Sequence, residues 1–327
     1  MNTIPRITAP LALVLTLLAL AGCAATGTAP GSSGLPTGVT VEESTDIATV
    51  AEAAAQFRNS LPASQVLVVF DLDNTLLAMN SELGADQWYD WQKKLESATP
   101  CDARVVADRL AVQGALFFAG AMHLTDDRIP GLIDELVEAG HPVMVLTARG
   151  PDYHLSTFRE LRRNKLDFRP SGPGRNGGFS EVLTLPGAQR GAWYQDGVMM
   201  VAGQHKGDML EALYQHLRLS LPGAVVFADD KTKNVAAMEE SLTRLEIPGF
   251  LLRYAGEDAR VAAFDDEQAA RQWRELKQPL IAVQEIMQGG HYQVPRQSGS
   301  PRCRSHQSKG FEQGGVPGDG TAADSGR

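Results

Sequence analysis

Two carboxylates separated by one residue follow an apolar segment in the first quarter of the chain. Asp71 and Asp73 come directly after the uninterrupted apolar run of residues 66–70. Such a pair can share a cation, or one carboxylate can act as a nucleophile while the other exchanges protons. An isolated Asp-x-Asp pair is more often a turn. The interpretation therefore depends on what the rest of the chain places beside it.

Further polar residues occur at the ends of later apolar segments or at a helix start. In chain order they are Thr147, Lys206, the pair Asp229 and Asp230, and Asn234. Each has a structural alternative. Thr147 can be a helix N-cap, Lys206 a solvated lysine at a helix start, and the acidic pair capping residues before Thr232.

The elements that must position these residues alternate along the chain. Apolar segments at residues 66–70, 142–146, 224–228 and 249–252 predict buried strands, and residues 129–139, 208–217 and 232–242 have helical periodicity. This alternation predicts an α/β fold with a doubly wound parallel sheet covered on both faces. Because ligands bind at the carboxyl ends of such strands, the polar residues are expected to converge there.

Taken in order, these features resemble the haloacid dehalogenase-like (HAD) superfamily over roughly residues 60–255. The run Asp71-Leu72-Asp73-Asn74-Thr75 resembles its first motif. Thr147 resembles the phosphate-binding residue of the second, Lys206 the third, and Asp229-Asp230 with Asn234 the fourth. The resemblance implies a HAD-like Rossmannoid core and phosphoryl-transfer chemistry.

The same resemblance implies a role for each residue. Asp71 is then the nucleophile and Asp73 the general acid and base. Thr147 and Lys206 hold the phosphoryl oxygens, with backbone N–H groups of Asn74 and Ala148. Mg²⁺ is the implied cofactor. Its ligands would be Asp71, the Asp73 carbonyl and Asp230, with Asp229 as a supporting ligand and Asn234 behind the acidic pair.

Two insertions interrupt the α/β pattern. Residues 78–123 have a helical pattern and correspond to the cap of the resembled family, whereas residues 170–203 resemble loop and hairpin. Around Trp88 and Trp91 the sequence resembles the cap of lipid-anchored acid phosphatases. Either tryptophan can stack on substrate, or both can pack the insertion onto the core. Arg149 can bind a second anionic group of the substrate, or form a surface salt bridge.

The N-terminal residues are typical of an exported bacterial lipoprotein. Residues 1–22 have the pattern of a signal peptide, and Leu20-Ala21-Gly22-Cys23 resembles a lipobox whose cysteine is acylated. An ordinary cleaved signal is the alternative. Residues 23–45 are expected to be a flexible linker. Ala24 favours the outer membrane, which would hold the domain of residues 46–287 in the periplasm.

Composition limits the remaining possibilities. The formal net charge of -9 disfavours nucleic acid as a partner. Three cysteines are too few for a disulfide framework, although Cys101 and Cys303 can pair in an oxidising compartment. Residues 288–327 are rich in Gly, Ser, Gln and Pro and are expected to be a disordered tail.

Together these patterns predict a Mg²⁺-dependent phosphomonoesterase acting through an aspartyl-phosphate on a small phosphorylated substrate. The second acid, Asp73, favours phosphatase or mutase chemistry, because the dehalogenases of the resembled family lack it and its ATPases carry Thr there. Export favours the phosphatase. The alternative function is a catalytically silent lipoprotein that serves as a binding or envelope-interaction module. The substrate and the oligomeric state stay open.

Overall fold

A computed structural model describes residues 37–174 and 182–287, together with the short pieces 294–296, 299–300 and 302–303. The predicted signal peptide and the predicted lipid attachment at Cys23 lie outside these residues. None of the helices in the described ranges combines the length and apolar character needed to cross a bilayer.

The chain forms nine strands and nine helices within the described residues. The strands are β1 Val39–Ser44, β2 Val66–Phe70, β3 Leu77–Met79, β4 Met122–Leu124, β5 Val143–Thr147, β6 Trp193–Gln195, β7 Val198–Met200, β8 Ala224–Asp229 and β9 Gly249–Tyr254. The helices are α1 Thr49–Phe57, α2 Asp86–Ala98, α3 Arg109–Ala119, α4 Ile129–Glu138, α5 His154–Arg163, α6 Lys206–Leu217, α7 Thr232–Arg244, α8 Asp258–Ala262 and α9 Asp266–Ile286. Short 3₁₀ turns at Ala63–Gln65 and Pro151–Tyr153 precede β2 and α5.

Seven of the strands form one central sheet. Its order is β1-β9-β8-β2-β5-β7-β6, and every neighbouring pair is parallel except β6 and β7. Val68 of β2 lies opposite Val143 of β5 on one side and Val226 of β8 on the other. The predicted α/β class with a mostly parallel sheet is confirmed. Within residues 170–203, where loop and hairpin were predicted, β6 and β7 form an antiparallel pair at the sheet edge, and residues 175–181 lie outside the described ranges.

Strand β2 shows why its sequence is apolar without interruption. Val66, Val68 and Phe70 belong to the core on one face of the sheet, with buried side chains of α1 and α4. Leu67 and Val69 belong to the core on the other face, with those of α6 and α7. Because both faces are buried, no position of the strand tolerates a polar side chain.

The first strand corrects a predicted boundary. Val39–Ser44 forms β1 and pairs in parallel with β9, so the expectation of a flexible linker through residue 45 is wrong from Val39 onward. The strand lies at the sheet edge, and its four central residues are exposed. An edge strand that faces solvent has no continuous apolar run, so its composition resembled that of a linker.

Residues 78–123 are helical, as predicted. The antiparallel pair β3 and β4 forms a two-stranded ribbon, and α2 and α3 lie between these strands in the chain. Trp88 and Leu116 of this insertion share a third buried cluster with Ala269 and Ile281 of α9. The insertion is thus held against the long C-terminal helix by its own apolar core.

Parts of the predicted disordered tail are folded. Cys303 forms a disulfide with Cys101, with 4.9 Å between the two Cα atoms. Val294 is buried in the third cluster, and the Ser300 hydroxyl donates to a Glu96 carboxylate oxygen at 2.6 Å. The disorder prediction is therefore wrong at these positions, and most of the remaining tail, residues 288–293, 297–298, 301 and 304–327, lies outside the described residues.

Candidate active site

The residues singled out in the sequence meet at the carboxyl ends of three neighbouring strands. Asp71 follows β2, Thr147 is the last residue of β5 and Asp229 the last of β8. Lys206 is the first residue of α6. A cavity of about 260 Å³ opens at this edge; the predicted residues that line it are Asp71, Asp73, Thr147, Ala148, Arg149, Asp230 and Asn234.

Lys206 joins two of these strand ends. Its Nζ donates to Asp71 Oδ1 and to Asp229 Oδ2, both at 2.5 Å. The side chain is buried, which excludes the solvated-lysine alternative. Burial alone would lower the pKa of Lys206, but attraction to Asp229 and Asp71 outweighs it, so the pKa lies above its ordinary value. Lys206 therefore carries its charge throughout the physiological range.

Asp229 is fully engaged by its surroundings. Besides Lys206, the Asn234 side-chain amide donates to both of its carboxylate oxygens, at 2.9 and 3.0 Å. The Lys231 backbone N–H donates to Oδ1 at 2.8 Å. Asp229 thus holds the start of α7 and the lysine in place, and Asn234 hydrogen-bonds both of its carboxylate oxygens.

Asp230 differs sharply from its neighbour. Its Oδ1 is buried and has no hydrogen-bond partner within the described residues, while its backbone N–H donates to the Thr75 hydroxyl at 3.0 Å. Burial, together with repulsion from Asp71 and Asp229, raises the pKa of Asp230 to about 9. An orphaned, buried carboxylate oxygen costs free energy unless a proton or cation joins it.

The acidic residues have the arrangement of a cation site. Ligand atoms of Asp71, Asp229 and Asp230 lie within 4.8 Å of one another. Burial raises the pKa of Asp71 to about 7, with the attraction of Lys206 only partly opposing it. When all three carboxyl groups are ionised, they and the Lys206 ammonium leave two negative charges, which a divalent cation would neutralise. Because Asp229 already has its partners, these contacts favour Asp230 as the direct ligand.

Asp73 has a partner that the sequence did not reveal. Arg149 donates to both of its carboxylate oxygens, through Nε at 2.8 Å and Nη2 at 2.7 Å. The remaining Nη1 donates to the Thr157 hydroxyl at 2.9 Å, and the guanidinium lies 3.9 Å above the Phe117 ring. Arg149 is buried, so the alternative of a surface salt bridge is wrong, and the residue forms an internal ion pair. Its direct contact with substrate stays a prediction.

The predicted phosphate-binding groups differ in availability. Thr147 lines the cavity and its hydroxyl accepts from the Arg149 backbone N–H at 3.2 Å. It does not cap α5, whose N-cap position is Tyr153. The Asn74 N–H donates to the Leu77 carbonyl at 2.8 Å. The expectation that this N–H binds phosphate is therefore wrong, because it is already hydrogen-bonded within the turn after β2.

The exposed Ala148 lies on the cavity wall, where its N–H role stays a prediction.

The insertion contributes a polar face rather than its tryptophans. Four residues of α2 line the cavity: Asp86, Tyr89, Asp90 and Lys93. Trp88 is fully buried and Trp91 packs against Phe264 with ring centroids 6.0 Å apart. Neither lines the cavity, so the stacking hypothesis gives way to the packing alternative.

One lysine connects that polar face to the strand ends. Lys231 Nζ donates to Asp90 at 2.6 Å and lies 2.7 Å from an Asp86 oxygen. Asp86, Asp90 and Lys93 recur at helical spacing, which is the signal that could have found this face. The tryptophans between these positions, rather than the polar residues, were predicted to contact substrate, so this polar face was not predicted.

The fold and the site together define an α/β protein with a polar, acid-rich cavity at the carboxyl edge of a mostly parallel sheet. A family model described as a protein of unknown function (DUF2608) matches residues 41–287. The chain therefore belongs to this family. Comparison with curated proteins finds no match.

Proposed function

We propose that the protein is a Mg²⁺-dependent phosphomonoesterase of the HAD type that works through an aspartyl-phosphate on Asp71. The observation that carries the proposal is the arrangement of Asp71, Lys206 and Asp230. The buried Asp71 carboxylate lines the cavity, contacts the ammonium of Lys206, and lies near an Asp230 oxygen that has no partner among the described residues. This combination suits attack on a phosphoryl group better than a structural role.

In the first half of the reaction, an Asp71 oxygen attacks phosphorus. The P–O bond to the leaving alcohol breaks and its electron pair stays on the departing oxygen. That oxygen takes the proton of Asp73, which at this stage is protonated on one carboxyl oxygen while the other still accepts from Arg149. In the second half, water gives a proton to the Asp73 carboxylate and attacks phosphorus. The P–O bond to Asp71 then breaks, which releases phosphate and restores the carboxylate.

The residues present suit a hard divalent cation. Asp71 and Asp230 would hold Mg²⁺, with Asp229 supporting them and the Asp73 backbone carbonyl as a further oxygen ligand. When bound, Mg²⁺ would supply charge neutralisation for the approaching phosphate. Lys206 and Thr147 would hold the phosphoryl oxygens, and Arg149 would keep the Asp73 carboxyl oriented.

We assign the insertion of residues 78–123 the role of a cap. Its helices α2 and α3 both contribute to the cavity wall, through Asp86 and Tyr89 on one and Gln113 and Phe117 on the other. A substrate bound near Asp71 would therefore be covered by side chains of the insertion. Substrate selectivity would then depend on this segment more than on the strand ends.

We further propose that the protein is anchored in the cell envelope through a lipid on Cys23. The disulfide between Cys101 and Cys303 supports export, because such bonds persist in oxidising compartments. Labelled fatty acid should appear on the wild-type protein and be absent from a Cys23→Ser variant. Equal labelling of both would contradict the anchor.

The catalytic test is phosphate release from an aryl phosphate by the purified full-length protein. Activity should require Mg²⁺, disappear with EDTA, and fall by at least about 10³-fold in Asp71→Asn, because the nucleophile is lost. Asp134→Asn, the same substitution at an exposed site on α4, is the matched control and should retain full activity. Thermal unfolding of each variant would confirm that it is folded.

A folded protein that releases no phosphate from any member of a phosphometabolite panel would contradict the proposal. That outcome would favour the alternative, a silent binding module of the envelope. Transfer of the phosphoryl group to an added alcohol instead of water would indicate a mutase or transferase.

A further inference from the structure

Three cations surround the mouth of the candidate active-site cavity. Lys93 on α2, Arg190 in the loop before β6 and Lys233 in the first turn of α7 are exposed and line the same cavity as Asp71. In the described part of the chain, none of the three forms an ion pair. They belong to three separate segments, so the fold collects them at one place.

The other cations of this site are used within the protein. Arg149 is bonded to Asp73, Lys231 to Asp86 and Asp90, and Lys206 to Asp71 and Asp229; these contacts account for every cation of the inner site in the described residues. Lys93, Arg190 and Lys233, the outer cations, have no ion-pair partner within the described residues, so they are available to bind an anion from solution. Like charges around one opening repel, and an anion between them relieves that repulsion.

These three cations contrast with the net charge of the whole protein. Its formal net charge is -9, so unpaired positive charge at the cavity mouth runs against the overall composition. Cations around a cleft concentrate anionic ligands and accelerate their association. The residues proposed to hold the phosphoryl group, Lys206 and Thr147, are buried, whereas these three cations are exposed.

There is also room for a leaving group that reaches the outer cations. The cavity adjoins a second one of about 530 Å³, and the two share Leu110, Ala148, Tyr153 and Arg190 in their walls. Arg190 therefore lies where a substrate would pass from one cavity to the other. A leaving group long enough to enter the second cavity would bring its far end past this guanidinium.

We propose that the substrate carries a second anionic group on its leaving alcohol, and that Lys93, Arg190 and Lys233 bind it. The proposal rests on the proposed phosphatase function and specifies its substrate class. The shared chemistry is a negative charge beyond the scissile phosphate, supplied by a carboxylate or by a second phosphate.

Two matched pairs of substrates test the proposal with the full-length protein and Mg²⁺. 3-Phosphoglycerate beside glycerol 3-phosphate tests a carboxylate, and adenosine 3′,5′-bisphosphate beside adenosine 5′-monophosphate tests a second phosphate. The doubly anionic member of at least one pair should have a kcat/KM about tenfold higher or more. The pair that shows the preference identifies the anion.

The variant Lys93→Ala/Arg190→Ala/Lys233→Ala should bring that ratio close to one, mainly through KM. Lys94→Ala is the control, since Lys94 is exposed on the same helix beside Lys93 but does not line the cavity; its ratio should match wild type. Added salt should lower the wild-type ratio as it screens the charges.

Turnover of all four substrates with ratios near one would overturn this proposal and leave the phosphatase assignment intact. So would a preference that persists in the triple variant. Absence of metal-dependent turnover on every substrate would remove the phosphatase assignment, and the substrate class with it.

Discussion

Both carboxylate oxygens of Asp73 accept hydrogen bonds from the guanidinium of Arg149, at 2.8 and 2.7 Å. A bidentate pair of this kind fixes the orientation of both planar groups. Arg149 in turn lies over the ring of Phe117 and near the Met122 sulfur, at 3.3 Å, and both residues belong to the insertion. The side chain proposed to exchange protons is therefore oriented through the insertion as well as the sheet.

Arg149→Lys should impair catalysis selectively. Lysine keeps the charge but not the bidentate geometry, so Asp73 would lose its orientation as the proton donor. Proton donation matters most when the leaving alcohol is a poor leaving group. We expect kcat for an alkyl phosphate to fall about 10²-fold and kcat for p-nitrophenyl phosphate to fall clearly less.

Arg159→Lys is the matched control for this prediction. Arg159 is a residue of α5 that, like Arg149, contacts the insertion: it donates to the Phe117 and Gly120 carbonyls at 2.8 Å. It does not line the cavity. Its two kcat values should change little or in parallel. Equal losses on both substrates in Arg149→Lys would mean that Arg149 is a structural residue only.

The strands show what sequence can and cannot predict here. Strands β2, β5 and β8 were predicted to within one residue at each end, because strands buried on both faces have uninterrupted apolar sequences. Strand β1 was missed because it is an edge strand whose side chains face solvent. Its pairing with β9 is a long-range contact that leaves no local pattern.

The site residues, like the strands, include some that the sequence predicts and some that it does not. Asp71, Thr147, Lys206 and Asp229 were predicted together, because each lies at an element end and parallel strands end at one edge of the sheet. The ion pair of Arg149 with Asp73 was not predicted. It depends on how α3 and β4 pack over the sheet, which the spacing of residues within one segment does not specify.

The Asp230→Asn variant should show separately how much the buried carboxyl lowers the stability of the metal-free protein and how much it contributes to Mg²⁺ binding. The wild-type protein should gain about 2.7 kcal/mol at a Mg²⁺ concentration 100 times Kd, a rise in Tm of roughly 5–10 °C for a domain of this size. In Asp230→Asn the metal-free protein should melt higher than metal-free wild type, because an amide avoids the cost that burial, and then repulsion from Asp71 and Asp229, imposes on the carboxyl. Its gain on adding Mg²⁺ should be small.

Differential scanning fluorimetry with EDTA and with a Mg²⁺ series would measure both effects. Asp134→Asn again serves as the control and should show the wild-type response. An unchanged Mg²⁺ response in Asp230→Asn would contradict the assignment of Asp230 as a metal ligand.

Removal of the disulfide should destabilise the protein without removing its chemistry. Cys101 and Cys303 are 202 residues apart in sequence, and loss of a native bridge typically costs about 2–5 kcal/mol. Cys101→Ser should therefore unfold at a lower denaturant concentration. Neither cysteine lines the cavity, so kcat of the folded protein should stay within about twofold of wild type.

Reduction provides the control for that variant. Dithiothreitol should lower the unfolding midpoint of wild type toward that of Cys101→Ser and leave the variant unaffected. A wild-type midpoint that does not respond to complete reduction would show that the bridge contributes nothing to stability.

A buried histidine far from the cavity should make stability depend on pH. Burial lowers the pKa of His141, whose Nδ1 donates to the Val66 carbonyl at 3.1 Å. As the pH falls below about 6.5, the unfolded chain takes up the proton before the folded protein does, so stability declines by up to about 1.4 kcal/mol per pH unit. This contribution is complete above pH 6.5 and is lost as the pH falls toward the folded-state pKa.

His141→Gln isolates this effect, because glutamine can donate to the same carbonyl and does not titrate. The difference in unfolding free energy between wild type and His141→Gln, from urea titrations at pH 7.5 and pH 5, should shift against wild type at the lower pH. His216→Gln, at an exposed position on α6, should follow wild type. A difference that is constant with pH would mean that His141 takes up its proton equally in the folded and unfolded states, contrary to its burial.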